Sequence, residues 1–375
     1  MILSSIELKN FRNYEDEILN FDDSRNIILG KNAQGKSNLL EAIYFLCLTR
    51  SFRTRKEKEI ITFDHEFATI NGKFILDNGQ EKNIIYYITL DKGKQVSLNR
   101  KRVEKLSEII GNFPVVISSP EAYNLTSGAP SDRRKFLDIL LSQISNQYLL
   151  NLQEYNKIIK QRNTILSKYS QNISKLLSLI QPWDEYLVEK GSWIIRFRES
   201  FLKVFDAKLK EVHESISDPD EKIKISYCST VDFDGKDDIK LNFHKKLNQL
   251  RNFEIEQKMT IIGPHRDDVL FFINDRELRK FGSRGQHKTV LIALMISEFQ
   301  LIKERVRETP IILIDDLFSE IDHTRENKIL SYIIDLGQNI ITTTLEYNEA
   351  VALFSKKRAH LFEIVNGKNL KNEKI

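Results

Sequence analysis

The residues Gly30-Lys31-Asn32-Ala33-Gln34-Gly35-Lys36-Ser37 form a G-x-x-x-x-G-K-S string, set between an apolar run, Asn26-Ile27-Ile28-Leu29, and a stretch in which Leu39, Leu40, Ile43 and Leu46 recur at helical spacing. Strand, loop and helix in that order make a phosphate cradle. Two glycines let several backbone N–H groups converge on one anion, and the helix directs the positive end of its dipole to the same place. Lys36 is placed for the β and γ phosphates and the Ser37 hydroxyl for Mg²⁺, with Lys31, Asn32, Ala33, Gln34 and Asn38 completing the nucleotide loop.

At 375 residues the chain exceeds the usual size of one compact domain, so two lobes are expected. A hydrophobic fraction of 41% can fill both cores, and 29% charged residues indicate a soluble protein. The net charge of +4 permits an anionic partner without demanding one. Cys47 and Cys228 form no C-x-x-C pair and lie in apolar or strand-like surroundings, which predicts reduced core residues. Glu7, Lys9 and Arg12 interrupt any signal peptide, and no apolar run reaches the roughly eighteen residues of a membrane span. A cytosolic protein is expected.

From the start of the chain, Ile2 to Tyr14 and Glu17 to Phe21 alternate as strands. Phe67 to Leu76, Asn83 to Leu90 and Gln95 to Asn99 are separated by Asn78-Gly79 and Lys92-Gly93, which predicts a β-meander. Two basic stretches flank it, one with Arg50, Arg53, Arg55, Lys56 and Lys58, the other Arg100-Lys101-Arg102. Each on its own fits a solvated surface loop. From Ser131 to about His213 only Gly191 remains of the glycines, and apolar residues take helical spacing. Leu137, Leu141, Ile144, Tyr148, Leu152, Tyr155, Ile159 and Leu166 form one stripe; Trp183, Leu187, Ile194, Phe197, Phe201, Phe205, Leu209 and Val212 form another. The spacing predicts two long core-forming helices broken near Ser170 to Pro182. A strand over Ile223 to Thr230 and a short helix over His244 to Gln257 follow.

Gly282-Ser283-Arg284-Gly285-Gln286 opens another helical pattern, Val290, Leu291, Leu294, Met295, Leu301 and Ile302. Ser283 fits an ordinary N-cap, and with the Gly285 amide it also fits a second anion site. Pro310 then introduces Ile311-Ile312-Leu313-Ile314, the composition of a central parallel strand, closed by Asp315 and Asp316. In a P-loop protein an acid there holds Mg²⁺, so Asp315 is placed for the metal and Asp316 for the attacking water. Ser319-Glu320-Ile321-Asp322, a helix over 324–336, and a strand from Asn339 to Thr344 complete the set, with Thr344 as the γ-phosphate sensor.

The order of these motifs resembles the RecF family of recombination-repair ATPases, relatives of the ABC and SMC ATPases, over essentially the whole chain. More specific strings carry it: Lys9-Asn10-Phe11-Arg12-Asn13-Tyr14, the extension of the loop through Asn38-Leu39-Leu40-Glu41-Ala42-Ile43-Tyr44, Ser119-Pro120-Glu121, Arg133-Arg134-Lys135-Phe136-Leu137-Asp138, and Gly263-Pro264-His265-Arg266-Asp267-Asp268. Two positions depart. Arg284 stands where the family more often has an uncharged residue, and Ser37 replaces the commoner Thr while keeping the hydroxyl.

The resemblance implies an α/β fold: an ABC-type P-loop ATPase head with a mixed β lobe and a central parallel sheet, from residues 1–118 and 258–375, and an inserted, mainly helical arm domain, residues 119–257. It also implies ATP and Mg²⁺ as cofactors, and binding to duplex DNA and single-strand/duplex junctions. An ATP-dependent homodimer, help in loading recombinase at gaps, RecR and RecO as mediator partners, a place in the SOS response, and a cytoplasmic location away from membranes follow from the same likeness. Glu121 stands for the glutamine-loop residue.

In that arrangement Ser283, Gly285 and Gln286 of one copy cap the γ-phosphate held by Lys36 of the other. Asp316 is a methylene shorter than the glutamate of transporters, which implies a weak, DNA-stimulated ATPase suited to a timed clamp. Arg53, Arg55, Lys56, Arg100, Lys101 and Arg102, with Arg50 and Lys58 beside them, are the candidate phosphate-contacting stripe. Two other readings stay open. One is the ATP-binding subunit of another ABC or SMC-type assembly, though a transporter turn would read Leu-Ser-Gly-Gly-Gln. The other is a non-hydrolysing, nucleotide-switched scaffold.

Overall fold

The computed structural model describes residues 1–54, 56–233, 238–316, 336–354 and 358–374. They fall into two compact units, Met1–Tyr123 with Leu291–Ile375, and Asn124–Val290. No helix among the described residues is long and apolar enough to cross a membrane.

In the first unit, β1 (Ile2–Phe11), β2 (Tyr14–Asn20), β4 (Phe67–Ile75), β5 (Glu81–Thr89), β6 (Gly93–Leu98) and β7 (Lys101–Arg102) form an antiparallel sheet ordered β2-β1-β4-β5-β6-β7. Alternation buries Ile6, Leu8, Ile70, Ile84 and Tyr86 on one face, while Glu7 and Lys9 point outward. The predicted strand from Ile2 to Tyr14 is divided by a turn at Arg12-Asn13. Arg12 takes a left-handed φ of 55° there, held by its guanidinium on Glu41.

β3 (Arg25–Leu29), β8 (Val115–Ser118), β12 (Ile311–Ile314), β13 (Asn339–Thr343), β14 (His360–Val365) and β15 (Lys368–Lys374) form the second sheet, ordered β15-β14-β3-β13-β12-β8. All pairings are parallel except the edge pair β14–β15. Its central strands are buried throughout, as a sheet covered on both faces requires. The helix α1 (Lys36–Leu48) packs on β1, β4 and β5 of one sheet and on β8, β12 and β13 of the other. Every residue from Leu39 to Leu48 is buried, the pattern of a helix with no solvent face.

The second unit is mainly helical. The first predicted helix is two, Pro130–Ile144 and Asn146–Lys168, because extended Ser145 caps the second by accepting from the Tyr148 amide at 3.1 Å. That reset changes the helical phase, so Leu149, Ile158 and Arg162 are buried where Leu152 and Ile159 were expected. The second helix does not begin after Pro182; it runs unbroken from Ile173 to Ile216. Pro182 forfeits one bond to the Ser178 carbonyl, on the exposed face of the helix, and the helix continues through it. Gly191 is required on the buried face, where a Cβ would stand 2.6 Å from the Phe243 ring. The helix expected over His244 to Gln257 is a pair, Ile239–Gln249 and Arg251–Gln257.

β9 (Ile223–Cys228), β10 (Asp268–Ile273) and β11 (Arg276–Glu277) form a three-stranded sheet in this unit. β10 pairs with β9 along its full length, so the unit extends to Val290 rather than closing at residue 257. Cys47 is buried as expected, but Cys228 is exposed: Ile223 and Ile225 face the core, and alternation turns Lys224 and Cys228 outward.

Candidate nucleotide-binding site

β3 delivers the chain into the loop at Gly30, with φ 151°, and the loop closes through Ala33 at 64° and Gly35 at 113°. Gly35 cannot carry a side chain, since its Cβ would stand 2.6 Å from the Asn13 amide nitrogen. The helix beginning at Lys36 has no side-chain N-cap, which leaves its leading N–H groups directed into the loop. Lys36 is buried, 7% exposed, and its ammonium turns back on the carbonyls of Gly30 at 2.5 Å and Lys31 at 2.9 Å. Burial lowers its pKa, and the nearby Asp316 and Asp315 carboxylates pull it partly back. Unsatisfied amides and a desolvated cation in one loop fit a polyphosphate.

The acid pair stands at the carboxyl end of β12. Ser37 Oγ donates to Asp315 Oδ1 at 2.9 Å, and the Asp315 amide donates to the Ser118 carbonyl at 2.8 Å. Asp316 takes a left-handed φ of 54° and donates its amide to Thr342 Oγ1 at 2.9 Å. A hydroxyl and a carboxylate oxygen already side by side are hard oxygen donors of the kind Mg²⁺ takes, so the two side chains fit that ion.

The role of several residues was not legible from spacing. Asn13 Nδ2 donates to the Gln34 carbonyl at 2.9 Å, Asn38 Nδ2 donates to Asn13 Oδ1 at 2.8 Å, and Tyr14 OH donates to the Gly35 carbonyl at 3.0 Å. Fully buried Glu41 receives Arg12 bidentately, at 2.9 and 2.7 Å, and the Ser51 hydroxyl at 2.5 Å. The strings Lys9 to Tyr14 and Asn38 to Tyr44 flagged these positions without assigning them; the structure makes them the frame of the loop.

Other predicted residues are placed as follows. Asn32 and Ala33 are exposed at the loop tip, and Thr344 is exposed beyond the end of β13. Glu121 is exposed in a short turn of helix, Pro120–Ala122. In the other unit, Ser283 and Gln286 form a reciprocal cap on helix Arg284–Val306: Gln286 N donates to Ser283 Oγ at 3.2 Å, and Ser283 N to Gln286 Oε1 at 3.0 Å. Gln286 Nε2 also donates to Glu221 Oε1 at 2.9 Å, while Arg284 is exposed and Gly285 half-buried. Arg53 turns toward α1, donating to Asn38 Oδ1 at 2.7 Å; Lys56, Arg100, Lys101 and Arg102 are exposed, the last three on the β6–β7 hairpin. Arg55, Ser319 to Asp322 and the helix over 324–336 up to residue 335 lie outside the described residues.

Two motifs serve the second unit's own core. Arg133 clamps Asp268 through Nε at 2.7 Å and Nη2 at 2.9 Å, and Arg134 Nη1 donates to the Asp267 carbonyl at 2.7 Å. Buried Asp267 accepts from Tyr227 OH at 2.5 Å and from Thr230 N and Oγ1 at 2.7 and 2.8 Å. Arg198, Asp138, Tyr148 and the Pro264 carbonyl close the same network.

Residues 2–361 match the family model described as "RecF/RecN/SMC N terminal domain". Among curated proteins, the chain is 40% identical over 380 residues to "DNA replication and repair protein RecF" of Streptococcus agalactiae serotype Ia, covering 100% of this chain and 99% of that protein. It is 38% identical over 373 residues to the protein of the same name from Bacillus cereus, covering 98% of each. Among solved structures, "Structure of the recombination mediator protein RecF-ATP in RecFOR pathway" superposes with a TM-score of 0.89 at 31% identity, covering 100% of this chain and 97% of that one. The Smc head domain of Pyrococcus furiosus, at TM-score 0.56 and 15% identity over 100% of this chain and 96% of that one, shares the fold.

Proposed function

The chain belongs to the RecF family, and from that premise we propose that it is an ATP-dependent DNA-binding protein of replication and recombinational repair. The observation that carries the reading is the Ser37–Asp315 hydrogen bond, which sets the loop hydroxyl against the strand-end acid. In this reading the free amides of the loop and Lys36 bind the triphosphate. Ser37 and Asp315 hold Mg²⁺, which when bound neutralises phosphate charge and polarises the terminal phosphoryl group. Asp316, one residue on, orients the attacking water and accepts its proton.

Ser283, Gly285 and Gln286 serve the other side of the nucleotide in a second copy of the chain. For that, the Ser283 hydroxyl and Gly285 amide face phosphate at a helix N-terminus, where the dipole favours it. ATP then joins two heads and hydrolysis frees them. Lys56, Arg100, Lys101 and Arg102, exposed and cationic, contact phosphates of duplex DNA or of single-strand/duplex junctions with little sequence preference. The mediators RecR and RecO are the partners that the family implies.

Asp316→Asn tests the hydrolytic part of the reading. A hydrolysis-timed clamp carrying it is retained on DNA in ATP, whereas a scaffold that never hydrolyses keeps the wild-type dissociation rate.

A further inference from the structure

Thr342 lies on β13, the strand between β3, which feeds the phosphate loop, and β12, which ends in the acid pair. It is fully buried, as are its strand neighbours Ile340, Ile341 and Thr343. A valine would fill such a position without a polar group to satisfy, so the hydroxyl calls for an account. Its hydrogen bonds supply one. The Asp316 amide can only donate, so Thr342 Oγ1 accepts from it, at 2.9 Å. The hydroxyl proton is thereby left for an acceptor, and Asp315 Oδ1 at 2.7 Å is far better placed than the Ile314 carbonyl at 3.5 Å. That oxygen is the one that also accepts from Ser37 Oγ.

We infer that Thr342 is a positioning residue for both acids: its proton fixes the rotation of the Asp315 carboxylate, and its lone pair holds Asp316 in the left-handed conformation that aims its side chain. One hydroxyl, on a rigid central strand, sets the two acids relative to each other and leaves the second Asp315 oxygen for a cation. Asp316 sits at φ 54°, in the left-handed region that aspartate enters more readily than most residues, and the bond from its amide to the Thr342 hydroxyl fixes it there. The inference rests on the reading of this site as one for a magnesium nucleotide.

The test measures affinity for a nonhydrolysable ATP analogue with Mg²⁺ and with EDTA, in wild type, Thr342→Val, Thr342→Ala and Thr342→Ser, with a thermal melt of each. Loss of a hydrogen bond to a charged group is expected to lower affinity in Mg²⁺ by about tenfold or more in the Val variant, with affinity in EDTA within about twofold of wild type. Ser, which keeps the hydroxyl, restores the Mg²⁺ value; Ala decides the matter if Val does not fold. In turnover, kcat should fall in the Val variant more than KM rises, because Asp316 loses its aim. Equal affinity of Val or Ala and wild type in Mg²⁺, or an equal loss with and without the ion, overturns the inference. A wild-type protein whose affinity ignores Mg²⁺ overturns the underlying reading of the site along with it, and so is distinguished from a failure at Thr342 alone.

Discussion

Ser37 Oγ and Asp315 Oδ1 meet at 2.9 Å although 278 positions separate them in the chain. The hydrogen bond ties the start of α1 to the end of β12, with β13 between β12 and β3, the strand that feeds the loop. Removing the hydroxyl as Ser37→Ala is expected to weaken ATP binding in Mg²⁺ by about tenfold while leaving binding in EDTA unchanged. Ser37→Thr keeps the donor and should bind as wild type. Fluorescence titration of an ATP analogue reads both.

Lys36→Ala removes a buried ammonium whose partners are two backbone carbonyls. A charge-assisted hydrogen bond to phosphate is worth about 1.5–3 kcal/mol, so nucleotide affinity should fall about ten- to hundredfold. The nucleotide-free protein should melt no lower than wild type, since burial of that charge opposes folding.

The helical unit depends on a buried ion network. Arg162, fully buried, donates to Asp184 at 2.8 Å and to both oxygens of Glu254 at 2.9 and 2.5 Å. Arg162→Met takes the bidentate partner from buried Glu254, while Asp184 keeps Arg251, and should cost about 3–5 kcal/mol, seen as an earlier transition in calorimetry. Arg162→Met with Glu254→Leu should recover part of that loss.

The nucleotide loop was readable because its chemistry is local: eight consecutive residues specify strand end, turn and helix start. The β-meander was readable from Asn78-Gly79 and Lys92-Gly93, where Gly79 and Gly93 do take positive φ. Sheet order was not, because β14, which completes the parallel sheet beside β3, comes from the far end of the chain. Proline misled at 182, since its cost depends on whether the freed carbonyl meets water. Serine misled at 145, since a cap inside an unbroken apolar stripe leaves no change in composition. At the site, the sequence points to Thr344, which lies just past the end of β13, while Thr342, two residues earlier and buried within the strand, is joined to the acids.

Two groups give opposite pH dependences. Burial pushes His265 down to about 4 from its usual 6.5, so the folded state resists a proton that the unfolded chain takes. Stability is lost as pH falls from 6.5 toward 4, by at most about 1.4 kcal/mol per pH unit. Burial pushes Glu298 up to about 8 from 4.5, so its folded carboxyl stays protonated and stability is lost as pH rises through that window. Glu298→Gln should therefore raise the melting temperature at pH 8 relative to wild type, with a smaller difference at pH 5.

If Arg100, Lys101 and Arg102 touch DNA phosphate, replacing all three by Ala should flatten the salt dependence of duplex binding. The expected change in the log–log slope is about 0.9 for each phosphate that the variant no longer neutralises. Arg53→Ala should alter that slope less, because its guanidinium is engaged by Asn38.

Sedimentation velocity on mixed variants tests most directly whether one triphosphate is held by Lys36 of one copy and Ser283 of another. Wild type should move from monomer to dimer on adding a nonhydrolysable ATP analogue, and Lys36→Ala and Ser283→Arg should each remain monomeric alone. Mixed, the two variants retain one intact composite site and should form dimers binding one nucleotide per pair. Dimers in either variant alone, or none in the mixture while wild type dimerises, would contradict the account.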